Sequence, residues 1–320
     1  MQRAGTLFIL VGPSGAGKNT LMQRVQQRLG DLPQLATMTT RAMRPGEKEG
    51  REHFFVTHDQ FQTHIDQGDL IEYQQVHMDD MYGTPRATVE DAINANRDLI
   101  ADIEFLGAGK IHEAYPANTV LIFVATSQLG TLAERIRQRG NVTPDVLQNR
   151  LQRARFEMTF APQSHYLVLN DTLETAAAQL EAIITGERAS RRGMATGHTT
   201  HTINSRLIAL TCSGENLLVR EITQALPAFE LVDPAQPQCD ALEAALETLL
   251  QQDVRLDVRA DERFDFTAPA AVTIAARFPQ VNLDYYYRCT LPEGAAPPEG
   301  WQWQPIASLK LPDELYEVLS

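Results

Sequence analysis

A glycine-rich segment near the start of the chain has the pattern of a phosphate-binding loop. Its residues are Gly12, Pro13, Ser14, Gly15, Ala16, Gly17, Lys18, Asn19 and Thr20. The glycines let backbone N–H groups close around an anion, the N-terminus of a following helix adds partial positive charge, and Lys18 can reach the outer phosphates. An apolar run at 7–11 precedes the loop and an amphipathic segment at 21–29 follows it. The segment therefore predicts a site for nucleotide phosphates.

The residue after the loop lysine departs from the usual pattern. Such loops normally place Ser or Thr there, whose hydroxyl ligates Mg²⁺, whereas this chain has Asn19. An amide carbonyl can also ligate Mg²⁺, and Thr20 lies one residue further on. Asn19 is therefore the candidate Mg²⁺ ligand.

Two arginines three residues apart indicate a second phosphate. Arg41 and Arg44 lie in the Pro- and Gly-rich segment 39–50, outside the phosphate-binding loop. Guanidinium groups at this spacing can fork onto one phosphate. The segment therefore predicts a phosphorylated acceptor in addition to the nucleotide.

Other polar residues occur where an α/β sheet would present them. Glu72, Tyr82 and Thr84 follow the arginine segment, and Asp102 and Glu104 come at the end of an apolar run. The carboxyl ends of parallel strands are where such sheets carry their sites. Asp102 and Glu104 are therefore candidates for substrate binding.

A further group of arginines is typical of a lid over a phosphoryl-transfer site. Arg135 and Arg139 share one helix face at a spacing of four residues, and Arg150 follows on the next predicted helix. Phosphoryl transfer needs cations that neutralise the charge developing on the transferred group. These arginines, with Lys18 and Arg44, are the catalytic candidates.

Alternating apolar runs and helical patterns over residues 1–185 predict an α/β fold, a parallel sheet with helices on both faces. Strands are predicted at 6–11, 98–103, 120–126 and 166–170. Helices are predicted at 18–29, 57–66, 86–95, 130–138, 144–158 and 173–185.

A second, smaller domain is predicted after a polar linker at 186–204, which has no periodicity. In the domain at 205–320, strands are predicted at 207–211, 254–258 and 281–287, and helices at 215–225, 239–251 and 267–277. This order suggests an α+β domain of the split βαβ, ferredoxin-like kind.

Composition and charge limit the kinds of partner that the chain can bind. The net charge is −13, and residues 201–320 hold 8 Lys and Arg against 18 Asp and Glu. This acidity argues against nucleic acid as a ligand of the C-terminal domain, which would need the opposite sign, and leaves an unknown partner open. No apolar run is long enough for a membrane span, and the three cysteines form neither a disulfide framework nor a zinc motif. The expected location is the cytoplasm.

Several of these motifs, in this order, resemble guanylate kinases over residues 8–184. The similarity rests on the loop Gly12–Lys18, Thr39-Thr40-Arg41-x-x-Arg44-x-Gly46-Glu47-x-x-Gly50, Leu70-Ile71-Glu72, Tyr82-Gly83-Thr84, Asp102-Ile103-x-x-x-Gly107, Arg135-x-x-x-Arg139-Gly140, Asn149-Arg150-Leu151 and Asn170-Asp171. The resemblance implies a P-loop kinase of purine nucleotide metabolism that uses ATP and Mg²⁺ to phosphorylate GMP or dGMP.

The resemblance also implies roles for individual residues. The acceptor phosphate would be held by Arg41, Arg44 and Tyr82, and the base would face Thr37, Glu72, Thr84 and Glu104. The charge on the transferred phosphoryl group would be neutralised by Lys18, Arg135, Arg139 and Arg150.

The chain departs from the family pattern at four of these positions. Asn19 replaces Ser or Thr, Thr37 replaces a serine, His53 stands in place of a phosphate-binding tyrosine, and Glu104 replaces an aspartate that recognises the base. Two alternatives stay open: a ribose 1,5-bisphosphate phosphokinase, whose family tolerates an acidic residue at the position of Asn19, and a guanylate-kinase-like binding module that has lost catalysis.

Overall fold

A computed structural model of the protein describes residues 4–77, 79–138, 140, 143–191, 201–213, 215–220, 226–230, 238–250, 254, 256, 260–261, 266–267, 269, 271–277, 280–292, 295–311, 315 and 319. These residues divide into two compact units. The first unit lies within Met1–Gly12, Ala16–Ala125 and Ser164–Thr200, and the second within Pro13–Gly15, Thr126–Gln163 and His201–Ser320.

The helices and strands are numbered along the chain. The helices are α1 (Lys18–Leu29), α2 (His58–Asp66), α3 (Arg86–Asn94), α4 (Phe105–Ala114), α5 (Leu129–Gln138), α6 (Pro144–Met158), α7 (Leu173–Arg191) and α8 (Gln238–Leu250). The strands are β1 (Leu7–Val11), β2 (Thr37–Thr39), β3 (His53–Phe55), β4 (Leu70–His77), β5 (Asp80–Pro85), β6 (Leu99–Asp102), β7 (Thr119–Ala125), β8 (Tyr166–Leu169), β9 (Thr202–Ser213), β10 (Asn216–Arg220), β11 (Ala228–Glu230), β12 (Ala260–Asp261), β13 (Phe266–Thr267), β14 (Ala271–Arg277), β15 (Gln280–Thr290) and β16 (Trp301–Pro305).

The first unit is built on a parallel sheet with the strand order β6-β1-β7-β8. Every residue of β1 and β7 is buried, as expected for strands that are covered on both faces. These four strands agree with the predicted ones to within a residue at most ends, and the predicted P-loop kinase type of α/β fold is confirmed.

Two helices cover one face of this sheet. Leu21 and Val25 of α1 and Leu180 and Ile184 of α7 share one buried cluster with the strands. The sequence predicts the end of α7 at 185, but the helix continues to Arg191. Its added turn is held by the Arg188 guanidinium, which donates to carboxylates of Asp31 and Asp98, tertiary partners that a local pattern does not reveal.

A second sheet of the first unit, with the order β3-β2-β5-β4, is absent from the sequence prediction. Strands β2 and β3 have only three residues each, too short for a periodicity to show. This sheet carries several of the candidate substrate-binding residues.

The second unit contains α5, α6 and the C-terminal sheet, which has the order β14-β15-β9-β10-β16, with β11 paired to β9. The β9 and β15 strands are parallel and the other pairs are antiparallel. Helix α8 contacts β9. A further α+β domain is therefore present at the C-terminus.

Two predicted helices of this domain are wrong. Residues 216–220 form strand β10, and residues 271–277 form β14, which pairs with β15 over its whole length. Strand pairing outweighs the weak helical spacing, and Val272, Thr273 and Ile274 favour it because β-branched residues suit pleated strands. The β9–β10 hairpin therefore replaces the first crossover of the predicted split βαβ order.

Some predictions reach beyond the described residues. The described residues leave out 221–225, most of 254–258, part of 267–271, and 192–200 of the predicted linker. Val254 and Leu256 are buried but have no strand assignment. Among the described residues, no helix combines the length and apolarity that crossing a membrane requires.

Candidate active site

The phosphate-binding loop connects β1 to α1, as its pattern predicts. Gly12 has a φ of 127°, and a Cβ atom there would lie 2.2 Å from the Val124 carbonyl oxygen. Helix α1 begins with no side-chain cap and no acidic residue in its first turn, so the partial positive charge of its N-terminus is not offset from within the helix. The loop therefore fits the phosphates of a nucleotide.

Lys18 folds back over the loop. Its ammonium Nζ donates to the Gly12 carbonyl at 2.6 Å and lies 3.7 Å from Asp102 Oδ1 at the end of β6. The side chain is 15% exposed. The structure thus brings together two predicted site residues, the loop lysine and the carboxylate that follows a core strand.

Asn170 contacts the phosphate-binding loop and is not among the predicted site residues. Its side-chain Nδ2 donates to the Ala16 carbonyl at 2.7 Å, and the residue is buried directly after β8. A polar residue at the carboxyl end of a parallel strand is the signal that could have identified it.

Asn19 and Thr20, the candidate residues for Mg²⁺, are exposed in the first turn of α1. Among the described residues, no three His, Cys, Asp or Glu side chains form a metal-binding group. Mg²⁺ in nucleotide sites generally keeps several waters and is held by one or two protein groups together with the phosphates.

Arg41 is held rigidly at the second sheet. Its guanidinium donates to both carboxylate oxygens of Glu47, at 2.8 and 2.6 Å, and its Nε donates to the Tyr82 hydroxyl at 2.9 Å. The Arg41 side chain is 7% exposed. The paired hydrogen bonds raise the pKa of Arg41 and lower that of Glu47 to about 2, so that both groups stay charged.

Glu47 also orders the loop that carries Arg44. Its Oε2 accepts from the Arg44 backbone N–H at 2.8 Å, while the Arg44 side chain is exposed. Glu47 belongs to the segment 39–50, but its position in the sequence alone does not predict a role in the site. Its contacts show that it positions the two arginines predicted to bind phosphate.

His53 and Thr37 are neighbours because β2 and β3 pair in parallel register. The Thr37 hydroxyl and His53 Nδ1 are 2.7 Å apart, and the His53 ring meets the Tyr82 ring edge-on. Burial, and next the charge of Arg41, lower the pKa of His53. His53 is therefore a neutral imidazole at neutral pH.

Glu72 and Thr84 form a buried polar pair across β4 and β5. The Thr84 hydroxyl donates to Glu72 Oε1 at 2.6 Å, and the two residues are 5% and 0% exposed. Burial raises the pKa of Glu72, and the like charge of Glu104 contributes in the same direction. A Cβ atom at Gly107 would lie 2.5 Å from Glu72 Oε2, so glycine there makes room for the carboxylate.

The arginine candidates of the second unit lie on two helices. Arg135 is half-buried in the last turn of α5, and Arg150 is exposed on α6. Arg139 lies outside the described residues. Near the end of α6, the Glu157 carboxylate accepts from the Ser14 backbone N–H at 3.2 Å and from Arg153 Nε at 2.9 Å. Glu157 is a loop contact for which the sequence analysis gave no signal.

Comparisons with known proteins match the same part of the chain. The guanylate kinase family model matches residues 4–187. Curated guanylate kinases include that of Bradyrhizobium diazoefficiens, 36% identical over 191 residues, which cover 60% of this chain and 87% of the relative. That of Thermotoga maritima is 37% identical over 185 residues, 58% of this chain and 88% of the relative. That of Photorhabdus laumondii is 37% identical over 196 residues, 61% of this chain and 94% of the relative.

Proposed function

Since the chain belongs to the guanylate kinase family and is a nucleoside monophosphate kinase, we propose that it transfers the γ-phosphoryl group of ATP to GMP or dGMP. The observation that carries this proposal is the buried Glu72 carboxylate, held by Thr84 on the same sheet as Tyr82, whose hydroxyl accepts a hydrogen bond from Arg41. A guanine base presents N–H donors on its pairing edge, and an ionised carboxylate is an acceptor-only group that matches them.

Arg41, Arg44 and Tyr82 bind the phosphate of the acceptor in this proposal. Arg41 is already aligned by Glu47 and Tyr82, so that little side-chain entropy is lost when a phosphate binds. Neutral His53 can donate one further hydrogen bond, which is the contribution expected from the tyrosine that it replaces. Thr37 and Glu104 complete the surroundings of the base.

Lys18 is proposed to leave the Gly12 carbonyl for the outer phosphates of ATP, while the loop N–H groups hold the remaining oxygens. Arg135, Arg139 and Arg150 are assigned to the charge on the transferred group. Mg²⁺, when bound, neutralises phosphate charge, and the Asn19 amide oxygen is the group proposed to hold it. The attacking oxygen belongs to the acceptor phosphate, so that transfer depends on positioning and electrostatics.

Asn19 gives the ribose 1,5-bisphosphate phosphokinase some support, because asparagine is nearly isosteric with an acidic residue. The Glu72–Thr84 pair argues against that function, because a sugar phosphate has no base that this pair could bind. The intact loop with Lys18 argues in the same way against a binding module without catalysis.

A coupled assay of ADP release separates these functions. The purified chain is tested with GMP, dGMP, AMP, UMP and ribose 1,5-bisphosphate at saturating ATP and Mg²⁺. We expect turnover with GMP and dGMP and little with the others. Turnover with the sugar bisphosphate alone would reject the guanylate assignment, and binding of GMP without turnover would favour the binding module.

Restoring the usual hydroxyl at position 19 should alter metal use. If the Asn19 amide oxygen ligates Mg²⁺, Asn19→Ser should raise kcat or lower the Mg²⁺ concentration that gives the half-maximal rate, because a serine hydroxyl restores the coordination found in most such loops. Mg²⁺ titration of both proteins measures this, with Asn94→Ser, at the exposed end of α3, as the matched control. A titration curve that does not change in Asn19→Ser would exclude Asn19 as a ligand.

A further inference from the structure

Side chains of the C-terminal domain complete the C-terminal end of α6. The Tyr285 hydroxyl on β15 donates to the Met158 carbonyl at 2.8 Å, and Gln238 Nε2 at the start of α8 donates to the Thr159 carbonyl at 3.4 Å. The last carbonyls of a helix have no partner within the helix and must find one elsewhere. Two elements of the C-terminal domain therefore act as a cap for α6.

This cap is buried and internally connected. The Tyr287 hydroxyl donates to Gln238 Oε1 at 2.9 Å, which orients the amide toward Thr159. Tyr285 and Tyr287 are 0% and 1% exposed. Burial raises the pKa of Tyr285, so that its hydroxyl keeps its proton and remains a donor across the physiological range. The cap therefore lies in the interior of the second unit.

Apolar contacts accompany the hydrogen bonds. Strand β14 contacts α6, and Val272 and Ile274 line a small cleft together with Leu132 of α5, Met158 of α6 and Pro13 of the phosphate-binding loop. Strand β14 of the C-terminal sheet therefore contacts α6, and its side chains share a cleft with residues of α5 and the phosphate-binding loop.

The same end of α6 contacts the phosphate-binding loop. Glu157, the residue before Met158, accepts from the Ser14 backbone N–H, and Arg153 one turn earlier holds its carboxylate. Arg150 lies one further turn toward the N-terminus of the helix. A rotation or shift of this end of α6 would therefore move Glu157 and Arg150 together.

We propose that the C-terminal domain is a positioning domain for α6, in which Tyr285 holds the Met158 carbonyl and so sets the placement of Arg150 and Glu157 for phosphoryl transfer. The inference rests on the proposed function, because it assigns the kinase reaction to this chain. It makes Tyr285 a positioning residue, and it gives the acidic domain a role within the enzyme itself. The acceptor-binding candidates Arg41 and Glu72 are not among the residues held by this cap.

The full-length Tyr285→Phe variant tests this role, because it removes only the hydroxyl. We expect kcat to fall about three- to tenfold, the effect of one lost hydrogen bond on the alignment of α6, with the KM for GMP unchanged. Tyr286→Phe is the matched control, since Tyr286 is buried on the same strand but packs in the cluster with Ile208 and Leu210. An unchanged kcat in Tyr285→Phe would overturn the proposal. A parallel loss in Tyr286→Phe would also overturn it, because the effect would then be a general one on the sheet.

Amide hydrogen exchange provides a readout that does not need activity. Residues 150–158 should exchange faster in Tyr285→Phe than in wild type or Tyr286→Phe, while β1 and β7 stay protected as in wild type. Equal exchange of α6 in all three proteins would overturn the positioning role. A wild-type chain that shows the expected exchange pattern but transfers no phosphoryl group would instead reject the proposed function and, with it, a catalytic purpose for the positioning.

Discussion

A Lys18→Ala variant should lose phosphoryl transfer while keeping its fold and its acceptor site. Lys18 is the cation of the phosphate-binding loop, and its ammonium lies at the Gly12 carbonyl and near Asp102. A preorganised charge aimed at the charge that develops in the transition state contributes about 3–4 kcal/mol, so kcat should fall by about 10²–10³-fold. Steady-state kinetics with GMP and ATP measures the loss.

The control for this experiment is Lys310→Ala, which removes an exposed lysine after β16. It should leave kcat unchanged. GMP binding, followed by calorimetry, should be close to wild type in Lys18→Ala, because the acceptor candidates lie on the second sheet of the first unit. A Lys18→Ala protein with normal kcat would refute the assignment of this loop to the reacting phosphates.

The parallel sheet was predictable because its strands are buried on both faces and read as continuous apolar runs. The second sheet was not, since β2 and β3 are too short to show a period and β4 mixes polar with apolar residues. In the C-terminal domain, α8 was found from its leucine spacing. The helix predicted at 267–277 is wrong, because the partner that makes β14 a strand lies in β15 and no local pattern reveals it.

In the site, the order of the sequence motifs predicts which side chains lie close together. Arg41 and Tyr82 are 41 positions apart in sequence and are joined by a hydrogen bond, and Glu72 and Thr84 are joined in the same way. The site residues that the sequence does not predict hold other groups of the site in place. Glu47 aligns Arg41, Asn170 binds a loop carbonyl, and Glu157 binds a loop N–H. Each contacts a backbone group or another candidate. For Glu47 and Glu157 the sequence position alone carries little signal, whereas Asn170 follows a core strand, as site residues often do.

The second large effect is expected at Glu72, where Glu72→Gln should abolish the preference for GMP over AMP. Two N–H donors of guanine would meet the carboxylate, and hydrogen bonds to a charged group contribute about 1.5–3 kcal/mol each. An amide keeps the shape but turns one acceptor into a donor that opposes a donor of the base. The kcat/KM for GMP should fall about 10²-fold or more, while the low value for AMP should change little.

Glu72→Gln should not fail by unfolding, because burial already disfavours the charged form of Glu72, as its raised pKa indicates. Its thermal unfolding midpoint at neutral pH should equal or exceed that of wild type. Glu113→Gln, at an exposed position of α4, is the matched control and should leave both activities unchanged. Retained discrimination against AMP in Glu72→Gln would place base recognition elsewhere.

The pH dependence of the KM for GMP provides a second test of the Glu72 carboxylate. Burial raises the pKa of Glu72 above its usual value, so the stability that this residue contributes is present at low pH and is lost as the pH rises through the raised pKa. Guanine binding has the opposite sign, since it needs the ionised carboxylate. The KM for GMP should therefore rise as the pH falls through the raised pKa of Glu72. Protonation of the GMP phosphate adds its own dependence, but Glu72→Gln retains that contribution, so the difference between the two profiles isolates Glu72. Identical profiles for the two proteins would mean that the carboxylate does not contact the base.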